Sequence, residues 1–293
     1  MPIKVDCRAD DGDKHQFDIN FLLYHKGKLY SAADDGKVMV WGPDLKKLAE
    51  VQSNPCSVFC LAGSDSTIYS CSNEGTVKAF ELDTLKEKGV IAEDKQTEFW
   101  RVSHDNDCLY TGDHVGNVRV YKNDKFYGTL CISEPVKDMV IYKNLMFTAN
   151  MDIIVTDLHL ASSTLQFGTK NTFPGRAPIT LIGDKYIAFS TSEAMGIVVH
   201  ENDDSSHFKA VTANQGAHEK VINALAGAYW KDQHILFSGG WDKIIKKWKI
   251  DNGKLILDSS CETDIVINAI TAGEQGDIYV GGSDGHIIRI RAD

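Results

Sequence analysis

The sequence has no apolar run that approaches the ~18–20 residues needed to cross a bilayer. Its first residues do not place an apolar stretch after a basic segment, so we predict no secretory signal. No Asn-x-Ser/Thr sequon occurs, and the seven cysteines are odd in number and scattered. These absences favour free thiols in a reducing compartment. We therefore expect a cytoplasmic protein without a membrane partner, with the nucleus as the alternative compartment.

Basic charge is also scarce. The 31 Lys and Arg residues are outnumbered by 41 Asp and Glu residues, which gives a net charge of −10. A nucleic-acid-binding surface needs a dense basic patch, so we expect no nucleic-acid partner. The 293 residues are 43 % hydrophobic, and a chain of this length and composition can bury a large core.

Helical periodicity is missing as well. Short β-rich runs instead alternate with polar turns, and seven segments of this kind align. One small residue marks the same place in each segment: Ser31, Ser70, Thr111, Thr148, Ser190, Ser238 and Val280. The spacing between markers runs from 37 residues (Thr111 to Thr148) to 48 residues (Ser190 to Ser238). This is close to the ~40–45-residue period of a four-stranded propeller blade.

Each segment has the pattern of a hairpin, with a buried run upstream and a polar outer run downstream. Asp35-Gly36 is one of several turn pairs that favour a tight hairpin. We therefore predict an all-β fold, a seven-bladed β-propeller of four-stranded blades that forms a single domain over residues 1–293. The predicted blades are about 15–52, 54–93, 97–132, 134–168, 176–213, 218–259 and 263–291.

The two ends of the chain complement each other in this prediction. The seventh unit stops after its third strand, whereas residues 2–8 form a spare strand with apolar residues at alternate positions. We predict that residues 2–8 are the outer strand of the last blade, which closes the ring and leaves no open sheet edge. The alternative is a frayed N-terminal tail.

The first and sixth units share four polar and aromatic positions. They are a His before the inner strand, a Ser on the second strand, an Asp in the turn and a Trp six residues after that Asp. The two sets are His15, Ser31, Asp35 and Trp41, and His218, Ser238, Asp242 and Trp248. This pattern resembles the WD-repeat family. The resemblance implies a hydrogen-bonded relay from Trp to Ser, from Ser to His and from His to Asp within each blade. Such a structural tetrad would satisfy every polar group in a dry blade interior.

The other five units depart from this signature. Glu74 and Phe80 stand at the Asp and Trp positions of the second unit, and His200 stands at the Trp position of the fifth. Other seven-bladed propeller families therefore stay open.

Sequence motifs for catalysis, metal binding or phosphate binding are weak or missing. His218-Glu219 begins like a zinc-protease motif, but Ile222 occupies the place of the second His. Cys56 and Cys60 have no second pair at ligand spacing, and the acidic run 10–13 lacks the other acids of a calcium loop. No phosphate-binding glycine motif and no nucleophile elbow occurs. We expect no catalytic residue, no metal and no cofactor.

The remaining candidates are surface residues. The resemblance implies a non-catalytic scaffold or adaptor that binds protein or peptide partners through the loops at the channel mouth, as a monomer or as a subunit of a complex. The net charge favours basic partners among them. Aromatic and Arg residues are typical interface anchors. The candidate contacts are Phe99, Trp100, Arg101, Arg176, Lys220 and Trp241.

One enzymatic alternative remains. Some propellers are metal-dependent hydrolases of the lactonase type, with a cation held in the central channel. The polar residues on the predicted inner strands that could converge there are Asn20, Asp138, Asn223 and Asn268.

Overall fold

The computed structural model describes residues 3–161, 164–274 and 276–292. Twenty-eight strands form seven four-stranded antiparallel sheets. Over these ranges the only helical segments are short 3₁₀ turns at Asp204–Ser206 and Ser283–Gly285, and neither is long enough to cross a membrane. Four positions inside the predicted blade ranges lie outside the described residues: Pro2, Ser162, Ser163 and Gln275.

The strands of each blade run from the channel outwards in chain order, except that the outermost strand of blade seven comes from the N-terminal end. Blade one contains β2 (Ile19–His25), β3 (Lys28–Ala33), β4 (Lys37–Trp41) and β5 (Lys47–Gln52). Blade two contains β6 (Val58–Gly63), β7 (Thr67–Ser72), β8 (Thr76–Glu81) and β9 (Glu87–Glu93). Blade three contains β10 (Phe99–Asp105), β11 (Cys108–Asp113), β12 (Asn117–Lys122) and β13 (Lys125–Cys131).

The later blades follow the same order. Blade four contains β14 (Asp138–Tyr142), β15 (Leu145–Ala149), β16 (Asp152–His159) and β17 (Gln166–Pro174). Blade five contains β18 (Arg176–Ile182), β19 (Tyr186–Ser190), β20 (Ile197–Glu201) and β21 (Ala210–Asn214). Blade six contains β22 (Ile222–Trp230), β23 (Gln233–Gly240), β24 (Ile244–Asp251) and β25 (Lys254–Glu262). Blade seven contains β26 (Ile267–Ala272), β27 (Asp277–Gly282), β28 (Ile287–Arg291) and β1 (Lys4–Arg8).

The blades close into a ring. The innermost strand of every blade contacts that of the next blade, and β26 of blade seven contacts β2 of blade one. Seven sheets in a closed circle are a seven-bladed β-propeller, so the predicted fold class is confirmed.

The N-terminal strand completes the last blade, as predicted. Strand β1 pairs antiparallel with β28, and this places Val5 opposite Ile290. Ile3, just before the strand, is buried in the apolar cluster between blades six and seven. Arg8 adds an ion pair of 2.6 Å to Asp264 in the loop that enters blade seven. Because β1 covers the edge of β28, blade seven is a complete sheet.

The core lies between the blades rather than in the channel. Val38 and Val40 in β4 pack towards blade two, whereas Met39 and Trp41 in the same strand pack towards blade seven. Successive side chains of a strand point to opposite faces of its sheet. A sheet buried on both faces therefore carries an almost continuous apolar run, as β4 does.

The ring has two unlike ends. We call the end with the loops into the inner strands and the turns between second and third strands the upper face, and the opposite end the lower face. Gly36, in the upper turn of blade one, has φ +76°, and a Cβ there would lie 2.0 Å from the carbonyl oxygen of Asn54. The turn thus packs directly on the loop that enters blade two.

Candidate partner-binding site

The four shared polar residues of blade one lie within hydrogen-bond distance of one another. Trp41 Nε1 donates to Ser31 Oγ at 2.8 Å, and that hydroxyl lies 2.7 Å from His15 Nε2. His15 Nδ1 lies 3.0 Å from the Asp35 carboxylate. Burial disfavours the charge on Asp35, but His15 and two backbone N–H groups outweigh burial and lower its pKa.

Blade six repeats this geometry. Trp248 Nε1 donates to Ser238 Oγ at 2.8 Å, Ser238 Oγ lies 2.7 Å from His218 Nε2, and His218 Nδ1 lies 2.8 Å from Asp242 Oδ2. Burial lowers the pKa of His218, and Asp242 offsets only part of that effect. A neutral imidazole donates from one nitrogen and accepts at the other, so both nitrogens are occupied and neither is available as a general base.

The same marker position in other blades has lost this pattern. Ser70 in blade two pairs instead with Ser53, at 2.9 Å between hydroxyl oxygens. The buried hydroxyls of Thr111, Thr148 and Ser190 have no hydrogen-bond partner among the described residues. Blades three to five therefore keep a small polar residue at this position without the side chains that would satisfy it.

A cavity of about 510 Å³ opens at the upper end of the central channel. Three of the predicted contact residues, Trp100, Arg101 and Arg176, lie in its wall. Phe59 and Val221 add apolar surface from blades two and six. The structure thus brings together residues that are far apart in the sequence and come from different blades.

The sequence prediction missed Phe59, Lys137 and Val221, which also line this cavity. Each lies at or next to the start of an inner strand, as Trp100 does. The signal that was present is therefore positional. In blades two to six, one residue at or next to the start of the inner strand faces the mouth, whatever its chemical type.

Arg101 is held in the channel wall. Its Nε lies 3.0 Å from Asp138 Oδ1 in an ion pair, and its guanidinium lies 5.4 Å from the centre of the Phe21 ring. Burial disfavours its charge, yet Asp138 together with the thiols of Cys60 and Cys71 outweighs burial and raises the pKa of Arg101. Asp138 Oδ2 also accepts a hydrogen bond from the backbone N–H of Ile179 at 3.0 Å. The pair thus connects blades three, four and five.

Residues 210–249, which include the complete polar set of blade six, match the family model of the WD domain, G-beta repeat. Three solved structures are similar over nearly the whole chain. U3-55K is 14 % identical with a TM-score of 0.80, and covers 99 % of this chain and 98 % of its own. The RRP9 WD40 repeats are 14 % identical with a TM-score of 0.80, and the match covers 100 % of this chain and 98 % of that chain. The WD40 beta propeller domain of Doa1 is 15 % identical with a TM-score of 0.78, and the match covers 99 % of this chain and 97 % of that chain.

The chain is a seven-bladed β-propeller whose sixth blade carries a WD repeat, and it has the fold of the solved WD40 propellers. No curated protein sequence matches it. At 14–15 % identity the solved WD-repeat structures show the shared fold alone.

The prediction that Phe99 contacts partners is wrong. Its side chain is fully buried in the apolar cluster between blades two and three, where the guanidinium of Arg119 lies 5.1 Å from the ring centre. Trp100 follows it and lies half-buried at the mouth, because adjacent side chains of a strand face opposite ways. Trp100 Nε1 donates to Glu98 Oε2 at 2.8 Å.

Lys220 and Trp241 lie beside the mouth rather than in its wall. Trp241 is 56 % exposed in the upper turn of blade six, and its backbone N–H donates to the carbonyl oxygen of Val221 at 3.0 Å. Lys220 precedes Val221 and is exposed. Both residues extend the surface around the cavity towards blade six.

The residues considered for a channel cation do line the channel, in a narrow section of about 50 Å³ that holds Asn20, Asp138, Asn223 and Asn268. Asp138 is the only carboxylate in the described lining of this section, and the Arg101 cation already pairs with it. Asn223 Nδ2 donates to Asn268 Oδ1 at 3.2 Å. A divalent cation needs several free oxygen ligands, and this set does not fit one.

Proposed function

We propose that this propeller is a non-catalytic scaffold or adaptor that binds protein or peptide partners through the loops around its channel mouth, in the cytoplasm or, alternatively, in the nucleus. The observation that carries the proposal is the mouth cavity of about 510 Å³. Trp100 contributes aromatic surface there, and Phe59 and Val221 contribute apolar surface. Aromatic side chains in a concave site are typical anchors for a partner segment.

The ring supports this role because it holds the wall residues in place. Phe59, Trp100, Lys137, Arg176 and Val221 come from five different blades, and each lies at or next to the start of a hydrogen-bonded inner strand. A site on rigid strands loses little conformational entropy when a partner binds. The propeller would act alone or as one subunit of a complex.

The side chains of the mouth also favour binding over chemistry. Its described wall contains no Ser, Thr, Cys or His. Hydroxyl, thiol and imidazole groups supply the common nucleophile–base pairs of covalent catalysis, and the described wall offers none of them. His15 and His218 are both engaged by Ser and Asp partners inside their blades.

Selection from a displayed library of random short peptides tests the proposal. We expect the propeller to enrich peptides whose binding is lost in Trp100→Ala and weakened in Val221→Ser. Phe126→Ala is the matched control, because Phe126 is 63 % exposed on the outer strand of blade three, far from the mouth. Melting curves of all variants establish that they are folded. A failure to enrich any peptide, or peptides that bind all three variants equally well, would contradict the proposal.

A further inference from the structure

Arg176 differs from every other arginine of the chain. Five of the six arginines form ion pairs with aspartates: Arg8 with Asp264, Arg101 with Asp138, Arg119 with Asp94, Arg289 with Asp6, and Arg291 with Asp6 and Asp277. Among the described residues, Arg176 has no carboxylate within ion-pair distance.

This unpaired guanidinium belongs to a half-buried residue in the wall of the mouth cavity. A partly desolvated cation without an ion-pair partner gains more binding free energy from an incoming anion than a cation that is already paired. Arg also presents several N–H donors in a planar fork that matches a carboxylate.

Lys137 adds a second positive charge to the same wall. It is exposed, it lies next to the start of β14 in the neighbouring blade, and it too has no ion pair within the described ranges. The hydrogen bond from Ile179 N to Asp138 Oδ2 ties the start of β14 to β18, the strand that Arg176 begins. The two cations therefore come from strand starts that are fastened together.

The carboxylates of the described wall do not cancel this charge. Glu98 is the only one at the mouth itself, and it accepts a hydrogen bond from Trp100 Nε1 at 2.8 Å. The charge of Arg101 is balanced by Asp138. Arg176 and Lys137 thus leave the mouth locally positive in a protein with a net charge of −10.

We propose that Arg176 and Lys137 form a subsite for the carboxylate of an Asp or Glu side chain in a partner peptide. A neighbouring apolar residue of that peptide packs against Trp100 and Phe59. This inference rests on the proposed function and reverses, for the mouth itself, the expectation of a basic partner. A short segment fits better than an extended polyanion, because the negative charge of the whole protein opposes polyanions at long range.

The same peptide selection, followed by affinity measurements, tests the subsite. We expect the enriched peptides to contain Asp or Glu more often than the starting library. For the best peptide, fluorescence anisotropy should show binding that is roughly tenfold weaker in Arg176→Gln, the loss typical of a charge-assisted hydrogen bond. Replacing the acidic residue of the peptide by its amide should weaken wild-type binding to a similar extent, with little further loss in Arg176→Gln.

Lys254→Gln is the matched control for this measurement. Lys254 is exposed at the lower-face start of β25 in blade six and has no ion pair in the described chain, so its removal changes the net charge equally at a distance from the mouth. We expect Lys137→Gln to weaken binding and Lys254→Gln to leave it nearly unchanged. Equal effects of Arg176→Gln and Lys254→Gln would overturn the subsite, because only the overall charge would then matter.

The remaining outcomes separate the two proposals. Selected peptides that lack Asp and Glu but still require Trp100 would overturn the acidic subsite and leave the proposed function intact. Failure to select any peptide would overturn both. If a phosphoserine in place of the acidic residue bound more than tenfold tighter, the subsite would be one for phosphate and the carboxylate assignment would be wrong.

Discussion

The guanidinium of Arg289 in the last strand binds the carboxylate of Asp6 in the first strand, across 283 positions of sequence. Arg289 Nε donates to Asp6 Oδ2 at 2.9 Å, and Arg291 Nε lies 3.6 Å from the same oxygen. The hydrogen bonds from Arg289 lower the pKa of Asp6, despite the opposing effect of burial. The two ends of the chain are thus joined by charge as well as by the pairing of β1 with β28.

Deletion of residues 1–8 should destabilise the whole propeller. It removes the outer strand of blade seven, uncovers the edge of β28 and takes Ile3 out of the core. We expect the melting temperature to fall by more than about 5 °C. Asp6→Asn keeps the strand and should cause a smaller fall. A truncated protein with an unchanged melting curve would show that the strand contributes nothing to closure.

Two hydroxyl substitutions should have opposite consequences. Ser238→Ala leaves the Trp248 N–H and the His218 ring without their shared partner, which should cost about 1–3 kcal/mol of unfolding free energy. Thr148→Val replaces a buried hydroxyl that has no partner in the described structure with a methyl group, so stability should stay level or rise. Chemical denaturation of both variants measures the difference. Equal losses of unfolding free energy in the two variants would mean that the hydrogen bonds of the blade-six relay add no stability.

Two glycine substitutions separate backbone strain from steric contact. Gly36 and Gly253 both have positive φ, but a Cβ on Gly36 would lie 2.0 Å from Asn54 O, whereas nothing lies within 4 Å at Gly253. Gly253→Ala should therefore cost only the conformational penalty of about 1–2 kcal/mol. Gly36→Ala should cost clearly more, because the loop into blade two must move. Similar melting temperatures for the two variants would rule out the close contact.

Mild acid should weaken the fold through buried histidines. Burial lowers the pKa of His104, His200 and His218 below the ordinary value of 6.5. The unfolded chain therefore binds more protons below about pH 6.5, so stability should fall as the pH drops below that value, by at most about 1.4 kcal/mol per pH unit for each histidine.

His200→Phe isolates one of these contributions. His200 packs 4.5 Å from the Phe173 ring centre and its Nδ1 has no partner among the described residues, so Phe keeps the ring packing and gives up the hydrogen bond to the backbone of Phe208. Melting temperatures measured from pH 7.5 to 5.5 should fall less steeply in this variant than in the wild type. Parallel curves would show that His200 does not titrate with folding.

The sequence was sufficient for the fold because each blade repeats local signals. Strand β4 shows why, since its apolar residues face both neighbouring sheets and its preceding turn needs Gly36. The mouth was harder to predict. Phe99 and Trp100 are adjacent aromatic residues, and only their placement at the start of β10 decides which one is buried and which one lines the cavity.

The sequence alone also did not predict which charged residues form ion pairs. Arg8 and Asp264 are separated by 256 positions, and no local pattern connects them. That Arg176 has no ion-pair partner among the described residues depends likewise on where every distant carboxylate lies. The net charge predicted basic partners, but the local charge of the mouth depends on these tertiary arrangements.

The complete Trp-Ser-His-Asp sets lie in blades one and six, the two neighbours of blade seven, where the chain ends meet. At the marker position, the hydroxyls of blades three to five have no partner among the described residues, and blades three and four lie opposite blade seven. Blade seven, where the first and last strands pair, therefore lies between the two blades that have complete hydrogen-bonded sets. Transient local unfolding, measured by amide hydrogen exchange, should therefore begin in the blades opposite blade seven. The least stable part of the ring is then not blade seven, where the first and last strands of the chain pair.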